Sequence, residues 1–247
     1  MKFTNLLFTT GILLGMLVLP SCLDDDDDVN RLYPNALVTV KETSNKTVFF
    51  QLDDNTTLLP VNITSHPFDS KEVRALVNYD EVDDPSQSFD QAVRVNWIDS
   101  IRTKPMAPNL GTENDEVYGN DPVEIVADWV TIAEDGYLTL RFRTMWGYQR
   151  ITHYVNLLPT NNPENPYEVE FRHNANGDMY GRMGDGLVAF KLDKHSTPTN
   201  RLNLITAHVL PRQQRRPLPQ RGALFHCNKS VCKKTMHHFS IIKINYY

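Results

Sequence analysis

The sequence predicts an all-β protein, a small OB-like barrel followed by an antiparallel β-sandwich behind a cleaved leader. Three observations carry that expectation. From Ala36 to Asp193 the chain runs in short alternating stretches rich in β-branched and aromatic residues, with turn clusters between them and no convincing amphipathic helix. A proline and glycine stretch, Pro105 to Gly111, divides these runs into two groups. Ahead of both lies an apolar run that ends at Cys22.

Lys2 and the run Leu6 to Leu19 make a signal peptide of residues 1–21, shorter than the roughly 20 apolar residues that a spanning helix needs. Leu19-Pro20-Ser21-Cys22 resembles the lipobox of bacterial lipoproteins. That resemblance implies cleavage before Cys22 and lipidation of its sulfur and new amino group, so the chain is expected to partner a membrane through its lipid anchor. At about 0.8 kcal/mol per buried CH₂, two or more acyl chains hold stably where one does not. Residues 22–34 are then an acidic spacer, Asp24 to Asp28, whose charge holds the folded part off the bilayer. Acid just after a lipidated cysteine also resembles an export signal to the outer face of the outer membrane. Surface display is therefore expected, with a periplasm-facing anchor as the alternative.

In residues 35–108, Leu37 to Val40 open the first module. Val48, Phe50 and Leu52 alternate with Phe49 and Gln51, and Asp53 to Thr56 turn the chain into Leu58 to Val61. Glu72 to Val77 with Tyr79, then Val93, Val95 and Trp97, add further strands. So few short strands bury one face only by closing, which favours an OB-like barrel. Such barrels often take nucleic acid, but this one carries 8 basic against 11 acidic side chains over residues 29–108. Its field repels phosphates, so no nucleic acid is expected.

Residues 109–121 read as a linker, because prolines fix φ and withdraw a strand donor. The second module, 122–193, begins with Ile125, Ala127 and Trp129. Glu134-Asp135-Gly136 is a tight turn into Leu138, Leu140 and Phe142, which alternate with Thr139, Arg141 and Arg143. Thr152 to Leu158, Tyr167 to Phe171 and Gly186 to Asp193 complete the pattern of a sandwich.

All 30 acidic residues lie at or before Asp193, against 15 basic ones, a balance of −15. Residues 194–247 carry ten basic residues and no acid. One folded domain rarely divides its charge so. Two origins are open for this basic, atypical tail: a changed reading frame, which would leave the sandwich short of an edge strand and prone to pair with a neighbour, or a basic extension that lies on anionic lipid or polysaccharide.

Laid out in order, Arg74 to Tyr79, Val93 to Val95, Gly136 to Phe142, His153 to Leu157, Val169 to Asn174 and Gly186 to Phe190 resemble the NigD-like lipoproteins over residues 1 to about 193. The resemblance implies a lipobox, an N-terminal OB-like domain and a C-terminal β-sandwich. The family name comes from a gene of a bacteriocin operon, so an immunity-type role is implied as well. It supplies no catalytic residues to carry over.

Chemistry-bearing motifs are scarce. No nucleophile elbow, zinc-protease helix, phosphate loop or dinucleotide fingerprint is present. Cys227, Cys232, His237 and His238 are zinc-capable residues at a spacing that fits no common finger, and no disulfide is available to the main body. His153 and His173 read as partly buried strand histidines that make ordinary hydrogen bonds. Among the aromatics Trp129, Tyr137, Trp146, Tyr148 and Tyr154, core packing accounts for most. Trp146 and Tyr148, flanking Gly147 at a strand break, are the candidate ligand contacts. The expectation is a non-enzymatic envelope protein without catalytic, metal or cofactor site, which binds another macromolecule, an unknown protein or glycan, in a role related to bacteriocin immunity or defence. A surface glycan-binding lipoprotein and an envelope assembly module are the alternatives.

Overall fold

The computed structural model describes residues 31–86, 88–147 and 151–192, together with the backbone of two strands at 203–206 and 243–246. Five strands close the first module: β1 (Ala36–Glu42), β2 (Val48–Gln51), β3 (Thr57–Pro60), β4 (Val73–Glu81) and β5 (Gln91–Ser100). Their order around the barrel is β1-β2-β3-β5-β4, with β4 returning to pair antiparallel with β1 and β3 running parallel to β5. Period-2 alternation turns Val38, Val40, Phe50, Ala75, Val77 and Val93 inward to one core. The β2–β3 turn is fixed by Asp53, whose Oδ1 accepts from the backbone N–H groups of Asn55 and Thr56, each at 2.8 Å. This side chain does locally what a backbone turn would do.

The second module is a sandwich. One sheet has the order β6-β12-β9-β7, from β6 (Thr103–Pro105), β7 (Glu124–Val126), β9 (Tyr137–Trp146) and β12 (Arg182–Lys191); β8 (Ile132–Glu134) pairs with β9 as a hairpin. Both turn residues of that hairpin have positive φ, 50° at Asp135 and 74° at Gly136, the twist a two-residue hairpin requires. The facing sheet has the order β10-β11-β13-β14, from β10 (Tyr154–Pro159), β11 (Glu168–Asn174), β13 (Asn203–Thr206) and β14 (Lys243–Tyr246). Between them lie Ile125, Leu138, Leu140, Phe142, Val188 and Phe190 from one sheet and Leu157, Val169 and Phe171 from the other.

The sandwich is not antiparallel throughout. β6 runs parallel to β12, and β13 and β14 run parallel to β11 and to each other. The prolines mark a real change of direction but no detached segment. After β6 the chain crosses from one sheet to the other and runs along the free edge of β10. Lys104 Nζ donates to Val155 O at 2.6 Å, Ala107 N to Leu157 O at 2.9 Å and Asn109 Nδ2 to Pro159 O at 2.8 Å. Three alternate carbonyls of an edge strand are thereby satisfied. The 3₁₀ turn Gly111–Glu113 and the short helix α1 (Asn114–Tyr118) continue this cover, with Asp115 paired to Arg172 on the outer face of β11.

Barrel and sandwich share a buried joint. Leu37 and Ile101 of the first pack with Val130, Ile132 and Ala189 of the second. Arg74, 0% exposed, reaches Thr39 of its own barrel, and Thr139 and Glu134 of the sandwich, at 3.1 to 3.3 Å. Beside it Lys41 pairs with Asp135 at 2.7 Å, and Tyr137 donates to Glu72. Burial pushes the Arg74 guanidinium below and the Glu134 carboxyl above their ordinary values, and the attraction between them opposes both shifts.

Residues 1–30 with Cys22, Tyr148, and Cys227, Cys232, His237 and His238 of the tail lie outside the described residues.

Candidate functional site

At one end of the sandwich the inner face of β9 continues past Phe142 to Trp146. Neither ring would fit if Gly186, opposite Phe142, or Gly184, diagonal to Trp146, bore a side chain. A Cβ on Gly186 would come within 2.5 Å of the Phe142 ring, and one on Gly184 within 2.6 Å of Trp146 Cδ1. The two glycines of β12 are therefore seats for two aromatic rings.

Trp146 stacks in turn on His153, with centroids 4.3 Å apart at 21°. His153 Nδ1 lies 3.0 Å from His173 Nε2, and His153 Nε2 lies 3.2 Å from Asp178 Oδ2. The same carboxylate oxygen accepts from Gly147 N–H at 2.9 Å. A histidine pair, one carboxylate and one indole thus close the end of an otherwise apolar core. The proton positions follow from the partners. A carboxylate facing Nε2 places the proton there, which leaves His153 Nδ1 to accept from His173 Nε2–H. Among the described residues the buried His173 Nδ1 has no hydrogen-bond partner. Desolvation, and then the neighbouring His153, hold the His173 imidazole below its ordinary value, while the backbone of Asp121 and Pro122 opposes the shift.

The surrounding backbone is equally constrained. A Cβ on Gly147 would sit 1.7 Å from Asp178 Oδ1, and one on Gly181 1.9 Å from Trp146 O. Asn176, at φ 50°, donates from Nδ2 to Thr152 O at 2.6 Å, so the turn between β11 and β12 is tied to the start of β10. The segments so joined carry the exposed apolar residues Tyr154, Met179, Tyr180 and Met183, of which Tyr180 is 83% exposed.

Sequence reasoning named Trp146 from its strand break. The structure places it half-buried, with its ring against His153 and Gly184. His153 and His173 are brought together with Asp178, 20 and 25 residues distant from His153; the missing signal was the β10–β11 pairing, which sets Val155 opposite His173 and leaves His153, one residue ahead of β10, beside it. Among the described residues Tyr154 and Tyr180 are the aromatics left facing solvent here. Among the described residues neither imidazole is hydrogen bonded to a hydroxyl or thiol, and no three His, Cys, Asp or Glu side chains are grouped to hold a metal ion.

Residues 37–101 match the model of the NigD-like N-terminal OB domain, and residues 105–210 that of the NigD-like C-terminal β-sandwich domain. The chain belongs to the NigD-like family. The match runs past Asp193, where the alternating pattern lost it, because β13 is only four residues long and joins β11 in parallel. Of solved structures, a protein of Parabacteroides distasonis described as toxin related is 37% identical at a TM-score of 0.51, with 64% of this chain and 76% of that one covered. A Bacteroides vulgatus protein of unknown function shares the fold, at 24% identity and a TM-score of 0.54 over 65% of this NigD-like chain and 76% of its own. A NigD-like immunity protein of Bacteroides caccae overlaps more loosely, at 19% identity and a TM-score of 0.48 over 69% of this chain and 84% of its own. No curated protein matches this chain.

Proposed function

We propose that this NigD-like protein is a non-enzymatic binding protein, held on the cell envelope through Cys22, which engages another macromolecule in defence against bacteriocin-type toxins. The observation that carries the reading is the end of the sandwich. Tyr154, Met179, Tyr180 and Met183 are exposed there on a backbone pinned by His153, Asp178 and Gly147, a rigid apolar surface of the kind that anchors protein interfaces. Both nitrogens of His153 are committed to structural bonds, which favours binding over proton transfer. The likeness at 37% identity to a protein described as toxin related supports the defence context.

Deleting the gene and exposing the strain to the toxins of its neighbours tests the proposal. Survival should fall, and a gene copy should restore it. Unchanged survival would remove the defence reading.

A further inference from the structure

The two sides of the sandwich are finished differently. On the side where β6 enters, the edge of β10 is covered by Lys104, Ala107 and Asn109. β12 has β9 along its whole length, from Arg182 opposite Trp146 to Lys191 opposite Tyr137, but β6 accompanies it only at Ala189–Lys191. Ala189 N donates to Arg102 O at 2.9 Å, so the backbone of Ala189 points away from β9. With a period of two, the N–H and C=O groups of Met183 and Asp185 point the same way. Among the described residues no strand lies alongside them. Leu187 packs against the joint with the barrel, which leaves Arg182 to Gly186 as the free edge, with Met183 and Asp185 both exposed.

A second orphan sits beside that edge. Among the described residues the buried indole N–H of Trp146 has no hydrogen-bond partner, and its Nε1 lies 3.0 Å from where a Cβ of Gly184 would stand. A buried unmade donor is costly, and it is retained at the point where an added chain would pass. Another extended backbone matches the alternating donors and acceptors of a strand edge. Gly184 and Gly186 carry no side chains to obstruct it.

We infer that the β12 edge, Arg182 to Gly186, is a strand-docking site for an extended segment of another polypeptide, and that this segment presents a short oxygen-bearing side chain to Trp146 Nε1. The site rests on the reading of the chain as a binder of macromolecules and specifies the contact. Asp185 does not block it: its carboxylate is held on the outer face by Arg141 at 2.5 Å and Arg143 at 2.5 Å.

The test uses the purified full chain in detergent and two fluorescein-labelled heptapeptides that alternate lysine and valine, which carry no side-chain oxygen, one with a central aspartate and one with a central alanine. The aspartate peptide should bind at least fivefold more tightly than the alanine peptide, and Trp146→Phe should erase that difference. Met183→Pro removes an outward N–H that β9 does not use, a position where edge strands tolerate proline. It should weaken binding at least tenfold with the melting temperature nearly unchanged, whereas Met183→Ala should stay within twofold. Amide shifts on binding should centre on Met183 and Asp185. Absence of binding, equal affinity for both peptides, or shifts centred elsewhere would overturn the site, and the last readout serves even if the proline variant fails to fold. Peptide binding with no survival defect in the deletion strain would leave the edge standing and remove the defence reading; a survival defect without peptide binding would do the reverse.

Discussion

Arg74 Nη2 lies 3.1 Å from Glu134 Oε2 across the joint of barrel and sandwich, with the arginine wholly out of water. A charge so placed is tolerated only because its partners remain. Arg74→Met should leave the largely buried Glu134 carboxylate unpaired and cost about 3–5 kcal/mol. Because the same joint couples the modules, the variant should unfold in two denaturant transitions where the parent shows one. A single transition at an unchanged midpoint would deny the joint its role.

The pH dependence of stability should centre on His173. Burial keeps its folded value below the ordinary one of about 6.5, so the unfolded chain binds a proton that the folded chain refuses. The contribution is fully present above that ordinary value and is lost as pH falls through it towards the folded value. The urea midpoint should therefore drop between pH 7.5 and pH 5, and His173→Gln should flatten that part of the curve.

Close backbone approach predicts two alanine effects at the same end. Gly181→Ala meets the Trp146 carbonyl, which is backbone and yields little, and should cost about 1–3 kcal/mol. Gly147→Ala meets the Asp178 carboxylate, which can swing aside, and should cost less while breaking the link to His153. Thermal unfolding measures both.

Lys104 covers the β10 edge at Val155 O and Asn156 Oδ1. Lys104→Met should expose part of that edge, and light scattering should then show concentration-dependent association that the parent lacks.

The strands of both modules were legible because inward residues such as Val38 and Val40, or Leu138, Leu140 and Phe142, recur at period two. The joint was not. Arg74 occurs in an alternating run where nothing distinguishes a buried arginine from an exposed one, and its partners Thr139 and Glu134 are 65 and 60 residues away. The polar end escaped for a similar reason: Asp178 stands in a turn, and only the β10–β11 register carries His153 to His173. Prolines 105 and 108 suggested a linker because proline signals lost strand donors, whereas here the flanking lysine, alanine and asparagine supply the bonds that seal an edge. The tail hid β13 because four residues in a parallel pair show no alternation long enough to read.

The most direct measurement is survival of four strains in culture fluid of toxin-producing neighbours: the parent, the gene deletion, and the deletion carrying either the intact gene or Cys22→Ser. An envelope-held binder predicts that deletion lowers survival at least tenfold, that the intact gene restores it and that the serine variant does not. Equal survival of parent and deletion strains, or full rescue by Cys22→Ser, would contradict the account.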